Sequence, residues 1–233
     1  DHSKLYYQSS ISHNTLSITS SQNPTGVQTP ITGVKKNLDI WLADEKYHVG
    51  EVLAHEFGPN IYTPEYTYLS GDIAQAYHTD TDKNVQEALR SMLFLPLDNE
   101  EYPAVFVVFD KIKTSESGST KSFLLHSETE PTVNGNVSVI VNNKDGYNGM
   151  LTNQTLLPQN AVITKIGGKD QEFVVNGINY PYEYNLAATS AAEPGWGRIE
   201  ISTTTTAENQ TDYLLNVMYV GDADAEAKTI PAK

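Results

Sequence analysis

The stretch "AVFVVFDKI", residues 104–112, decides the fold. Its apolar run is too short for a buried helix and is rich in β-branched and aromatic residues, so it reads as a central strand covered on both faces. Asp110 ends that run, and "SESGS" (115–119) reads as the turn of a hairpin into the next strand, "KSFLLHS" (121–127). Outward from this pair the same pattern recurs. "TLSITS" (15–20), "HVGEVLA" (48–54) and "MLFLPL" (92–97) lie before it. "NVSVIVN" (136–142), "AVITKIGG" (161–168), "EFVVNG" (172–177), "GRIEIST" (197–203) and "DYLLNVMYV" (212–220) lie after it. Short strands at this spacing, broken by turn residues such as the Asn-Gly of "PTVNGNVSV", specify an all-β chain built as a large antiparallel β-sandwich with little helix. Only "DKNVQEALRSML" (82–93) has helical spacing, enough for a turn or two. Residues 21–46 and 55–82 are polar and rich in Tyr, Pro, Asp and His, and read as long functional loops. No internal repeat or long linker divides residues 1–233, which therefore form one domain.

The 233 residues carry 29 acids against 15 Lys and Arg, a net charge of −14. That field disfavours nucleic acid and anionic membrane surfaces as partners, and no apolar run is long enough to span a bilayer. Cysteine is absent, which removes disulfides and thiolate metal sites and is compatible with a secreted or periplasmic bacterial protein. No signal peptide opens the sequence at Asp1, as expected for a mature product or a fragment. The sequons at Asn136, Asn153 and Asn209 matter only in a eukaryotic secretory route.

Five of the six histidines (His2, His13, His48, His55 and His78) fall in the first 78 residues, so function is expected there. In "SSISHNTLSI" (9–18), His13 and Asn14 precede an alternating strand. They serve either as a hydrogen-bonded strand start or as groups aimed into a site. Two imidazoles and a carboxylate, His13, Asp39 and His78, are donor types that suit Zn²⁺, although spacing tells little in a β protein. Asp72 reads equally well as a turn residue, His48 as a strand residue and His126 as packing. The chain has fourteen tyrosines, several of them (Tyr6, Tyr7, Tyr62, Tyr66, Tyr68, Tyr77) near the same segments. Tyrosine rings stack on sugar faces and their hydroxyls donate protons, but tyrosine also favours strands. No cysteine and no G-x-S-x-G supports nucleophilic catalysis, and "GGKD" (167–170) reads as a tight turn.

Taken in order, "SHNTLSI", "YLSGDIAQAYH", "ALRSMLFL", "PAVFVVFDKI", "KSFLLHSETEP", "GMLTNQTLLPQNAVITKIGG", "PGWGRIEIS" and "DYLLNVMYVGDADA" resemble the C-terminal part of the heparinase II/III-like polysaccharide lyases, over about residues 5 to 225. The resemblance implies a β-sandwich that follows a helical toroid domain, with an anionic polysaccharide bound between the two. It implies β-elimination at a uronic acid. A base removes the C5 proton, the carboxylate is neutralised, and the bond to the 4-oxygen breaks. Much of the family's catalytic set lies on the helical domain, which would be a partner of this chain. By the same resemblance His13 is the active-site or metal-binding histidine, and Asp39 and His78 complete the ligands of one structural zinc or other divalent ion. Tyr7, Asn14 and Tyr77 are the substrate-binding candidates. Some members carry a second histidine where this chain has Ile11, and the family's sandwich continues beyond the last strand here. Both the missing front domain and the missing strands imply a fragment that turns over little alone. The alternatives are a non-catalytic carbohydrate-binding module, or a sandwich that only stabilises a larger glycan-degrading enzyme.

Overall fold

A computed structural model describes residues 2–30, 37–44, 47–182, 195–204 and 211–230. The chain folds into β1 (Leu16–Ile18), β2 (Glu51–Gly58), β3 (Tyr66–Asp72), β4 (Val85–Pro96), β5 (Ala104–Thr114), β6 (Lys121–Ser127) and β7 (Thr132–Asn134). It continues through β8 (Val137–Asn142), β9 (Gly149–Leu157), β10 (Val162–Gly167), β11 (Val174–Val175), β12 (Ile178–Asn179), β13 (Gly197–Ser202) and β14 (Thr211–Gly221). A short α-helix, α1, spans Leu38–Ala43. A small sheet runs β1-β6-β13-β10 and a large one β2-β3-β4-β5-β14-β9-β8-β7, with antiparallel neighbours throughout. The all-β sandwich read from the sequence is the fold observed. Among the described residues no helix is long and apolar enough to cross a membrane.

The core follows from strand alternation. Leu16, Ile18, Phe123, Leu125, Ile199 and Ile201 point from the small sheet onto Ala88, Val108, Ile112, Leu214 and Met218 of the large one. Charges also enter this space. Arg90 donates from Nε and Nη2 to the two carboxylate oxygens of Asp110, at 2.6 and 3.0 Å, and its guanidinium lies 5.3 Å from the Phe123 ring centre. Burial pushes the Asp110 carboxyl above its ordinary pKa, and Arg90 pulls it partly back. Lys121 and Asp212 make a second buried pair between the sheets.

The structure differs from the sequence-based expectations at five points. Residues 82–93 are not helical, since β4 runs through them. Residues 55–82 are not a loop, because they hold the second half of β2, all of β3 and a 3₁₀ turn at Ala74–Tyr77. Residues 149–157, not anticipated as a strand, form β9 in the large sheet. Finally, "SESGS" does not close a hairpin: β5 and β6 belong to different sheets, and residues 115–120 carry the chain from one layer to the other. Asp110 lies inside β5 and does not end it. The Asn-Gly hairpin is observed, with Asn134 paired to Val137 across a two-residue turn. Of residues 21–46, positions 31–36 and 45–46 lie outside the described residues, as does the sequon at Asn209.

Two further coverings matter. The helical turn Ser3–Tyr7, the 3₁₀ turn Ser10–Ser12 and the β11–β12 hairpin pack on the outer face of the small sheet through Tyr6, Ile11, Leu124 and Val175. On the outer side of the large sheet, Gln154 of β9 takes the place of a neighbouring strand. Its Oε1 accepts from the Ile230 N–H at 2.7 Å and its Nε2 donates to the Ile230 carbonyl at 3.2 Å. Tyr102 Oη donates to the Glu226 carbonyl at 2.7 Å, and Lys228 Nζ lies 5.0 Å from the Tyr102 ring centre.

Candidate functional site

The residues of β1, β6 and β13 that alternate with the core positions face outward, and most are polar. They include Ser17, Ser122, His126, Arg198, Glu200 and Ser202, with His126 directly opposite Arg198 in the register. Gly26 lets a loop lie flat on this face. Its φ of +67° suits glycine, and a Cβ there would come within 2.7 Å of the Ile18 nitrogen.

His13 closes the 3₁₀ turn Ser10–Ser12, its N–H donating to the Ser10 carbonyl at 3.1 Å. Asn14 then ties the strand start to β6: its Oδ1 accepts the His126 N–H at 2.8 Å and lies 3.1 Å from His126 Nδ1. The other ring nitrogen of His126, Nε2, is 3.0 Å from the Ile11 carbonyl. Both neighbours are acceptors, so a neutral ring donates to one of them and an imidazolium to both. Burial, reinforced by the Arg198 charge, nevertheless lowers the His126 pKa to about 4. The ring is therefore neutral at ordinary pH and is held in one orientation.

These groups border an open pocket of about 400 Å³. Tyr6, Tyr7, His13, His126, Glu128 and Glu172 are among its lining. Tyr7 is 67% exposed and His13 is exposed, so both present their polar ends to solvent. Tyr6 is buried, with its hydroxyl donating to the Glu172 carbonyl at 3.3 Å, and burial raises its phenol pKa against the lowering effect of Arg198. The pocket thus offers one free imidazole, one free phenol, a locked neutral imidazole and carboxylates. That set can move protons and bind hydroxyl groups.

Of the predicted site residues, the structure brings together His13, Tyr7 and Asn14. Asn14 has its carbonyl committed to His126, which leaves only its NH₂ group for a ligand. Tyr77 is not a substrate-binding residue. It is 2% exposed, packs in the core, and donates its hydroxyl to the Leu16 carbonyl at 2.8 Å, with burial pushing its pKa up to about 12. The ligand set His13, Asp39 and His78 is not assembled either. Among the described residues no three His, Asp or Glu side chains lie close enough to hold a metal ion. Asp39 is exposed in the first turn of α1, and His78 Nε2 is engaged by the Val85 carbonyl at 2.6 Å. These residues do not fit a structural zinc. Sequence reasoning missed His126, which looked like a packing residue. The available signal was its place in the outward alternation of "KSFLLHS", one position beyond core residue Leu125.

No protein-family model matches the chain, and no curated protein matches it. Among solved structures it is similar to the heparan sulfate lyase HepC from Pedobacter heparinus, at 15% identity and a TM-score of 0.48, covering 87% of this chain and 29% of that one. A heparinase III gene product is similar at 13% identity and a TM-score of 0.45, with 75% of this chain and 22% of that one covered. The chain therefore spans less than a third of the length of these lyases. A likeness at this level assigns neither a residue nor an activity.

Proposed function

We propose that the chain is the β-sandwich part of a polysaccharide lyase that cleaves a uronic-acid-containing glycan by β-elimination, with His13 as the active-site imidazole. The observation that carries this reading is the pocket at the start of β1. There the histidine of the "SHNT" segment stands exposed beside Tyr7, and Asn14 and His126 lock the backbone beneath it. In this reading His13 takes the C5 proton, the C5–H electron pair forms the C4=C5 double bond, and the C4–O bond breaks toward oxygen. In the same reading Tyr7 returns a proton to that leaving oxygen. Neutralising the substrate carboxylate needs donors, and in this reading the exposed Asn14, whose NH₂ is left uncommitted, supplies one. The rest falls to a helical domain that packs on the sandwich. The anionic glycan is held locally, since the overall charge of −14 does not attract it. The family's bacterial, secreted or periplasmic setting belongs to the same proposal.

The test follows the ultraviolet absorbance of the unsaturated uronate in the full-length protein and its His13→Ala form, on alginate, hyaluronan and heparan sulfate. A rise on one polymer that His13→Ala abolishes is the expected result. No rise on any uronate polymer overturns the reading. A second reading, a carbohydrate-binding module, is favoured by the exposure of Tyr7 on the rim. It predicts glycan binding that survives His13→Ala and is lost in Tyr7→Ala.

A further inference from the structure

On the same outer face, away from the His13 pocket, lies a second cavity of about 290 Å³, roofed by the turn of the β11–β12 hairpin at Asn176 and Gly177. Its polar wall is Arg198, Glu200, Ser17, Ser122 and Ser202, and its apolar wall is Ile11, Ile166 and Val175. Arg198 is the decisive group. It is 2% exposed, and its Nε and Nη2 both reach one oxygen of Glu200, at 2.8 and 2.7 Å. Its Nη1 is buried with no acceptor at hydrogen-bond distance among the described residues, although the guanidinium's charge is felt at the neighbouring Tyr6 hydroxyl. A buried guanidinium nitrogen without an acceptor is costly to keep unless something brings one.

We propose that this cavity binds one uncharged sugar unit, whose hydroxyl oxygens accept from Arg198 Nη1 and whose apolar ring face lies on Ile11, Ile166 and Val175. The choice of a neutral ligand follows from Glu200. It already balances Arg198, so an anionic group here would leave a net buried negative charge beside a carboxylate. A hydroxyl-rich ring suits the wall better, because it both accepts and donates, and Ser122 and Ser202 offer a hydroxyl pair 2.7 Å apart. The volume is at the small end for ligand sites, the size of a single ring and not a chain. This inference does not depend on the lyase reading, since it concerns a different cavity and a ligand without a carboxylate.

The experiment is ligand-observed NMR titration of the whole chain with methyl β-glucopyranoside, N-acetylglucosamine and glucuronate. Three forms are compared: wild type, Ser202→Leu and Arg198→Met. The leucine fills the cavity while leaving the Arg198 and Glu200 side chains themselves unaltered, and thermal unfolding shows which variants are folded. The expected result is binding of a neutral sugar with a Kd on the order of 1 mM, weakened at least about tenfold in Ser202→Leu and in Arg198→Met. If Arg198→Met does not fold, Ser202→Leu decides alone. Absence of neutral-sugar binding to wild type overturns the proposal. Preference for glucuronate over both neutral sugars overturns it in favour of an anion site. Binding unchanged in a folded Ser202→Leu places the sugar elsewhere and also overturns it.

Discussion

Three of the four strands of the small sheet carry opposite tasks on its two faces. Inward, β1, β6 and β13 present Leu16, Ile18, Phe123, Leu125, Ile199 and Ile201, which are dry and closely covered. Outward, shifted by one residue, they present Ser17, Ser122, His126, Arg198, Glu200 and Ser202, bordered by two cavities. The difference teaches that a period of two lets one strand carry stability on one face and chemistry on the other, with little exchange between them.

The strongest way to break this division is on the dry side. Ile199→Ala removes a fully buried side chain from the core and should cost about 2–5 kcal/mol, read by urea unfolding, while leaving sugar binding to the folded protein intact. A smaller cost would mean that the inner face can collapse around the gap.

Next comes the pH dependence of the outer face. His126 is held near pKa 4 in the folded chain against an ordinary 6.5, so the unfolded chain binds the proton first as pH falls. Its contribution is therefore full above pH 6.5 and is lost between about pH 6.5 and 4, on the order of 3 kcal/mol in total. Asp110, raised by burial, works in the opposite sense at the acid end. The check is consequently a difference: stability against pH for wild type minus His126→Gln, which cancels Asp110. A flat difference would place His126 in water.

Ser202→Ala breaks the 2.7 Å hydroxyl pair with Ser122 and should cost about 1 kcal/mol in denaturant unfolding. The smallest effect is expected where function is expected to be largest. His13→Ala should move stability by less than about 0.5 kcal/mol while abolishing elimination, because the exposed ring supports nothing beneath it. A large loss of stability would return His13 to a structural role.

The sandwich was legible wherever inner positions were apolar, as in "AVFVVFDKI" and "GRIEIST". It was illegible where the inner face is polar. β4 puts Arg90 between Ala88 and Met92, so the alternation failed and the spacing of Val85, Ala88, Leu89 and Met92 mimicked a helix. β9 hides Asn153 and Thr155 inside, bonded to Asn216 of β14, so its middle (152–155) is entirely polar and breaks the apolar alternation. The site divides in the same way. His13, Asn14 and Tyr7 could be named from local sequence and the resemblance. His126 and Arg198 could not, because their importance comes from register between β6 and β13. Tyr77, Asp39 and His78 had the right chemistry for a site, but backbone carbonyls and a helix terminus claim them.

The contact between Gln154 and Ile230 has a consequence on the time axis. A side-chain amide standing in for a strand gives the segment around residue 230 two hydrogen bonds where a ladder would give many, with Tyr102 adding one more at Glu226. Such a segment opens as its own small cooperative unit, at a free energy well below that of the whole sandwich. Amide hydrogen exchange should then find the Ile230 N–H trading with solvent long before the β5–β14 ladder does. Gln154→Ala should speed that one exchange and leave the ladder's clock unchanged.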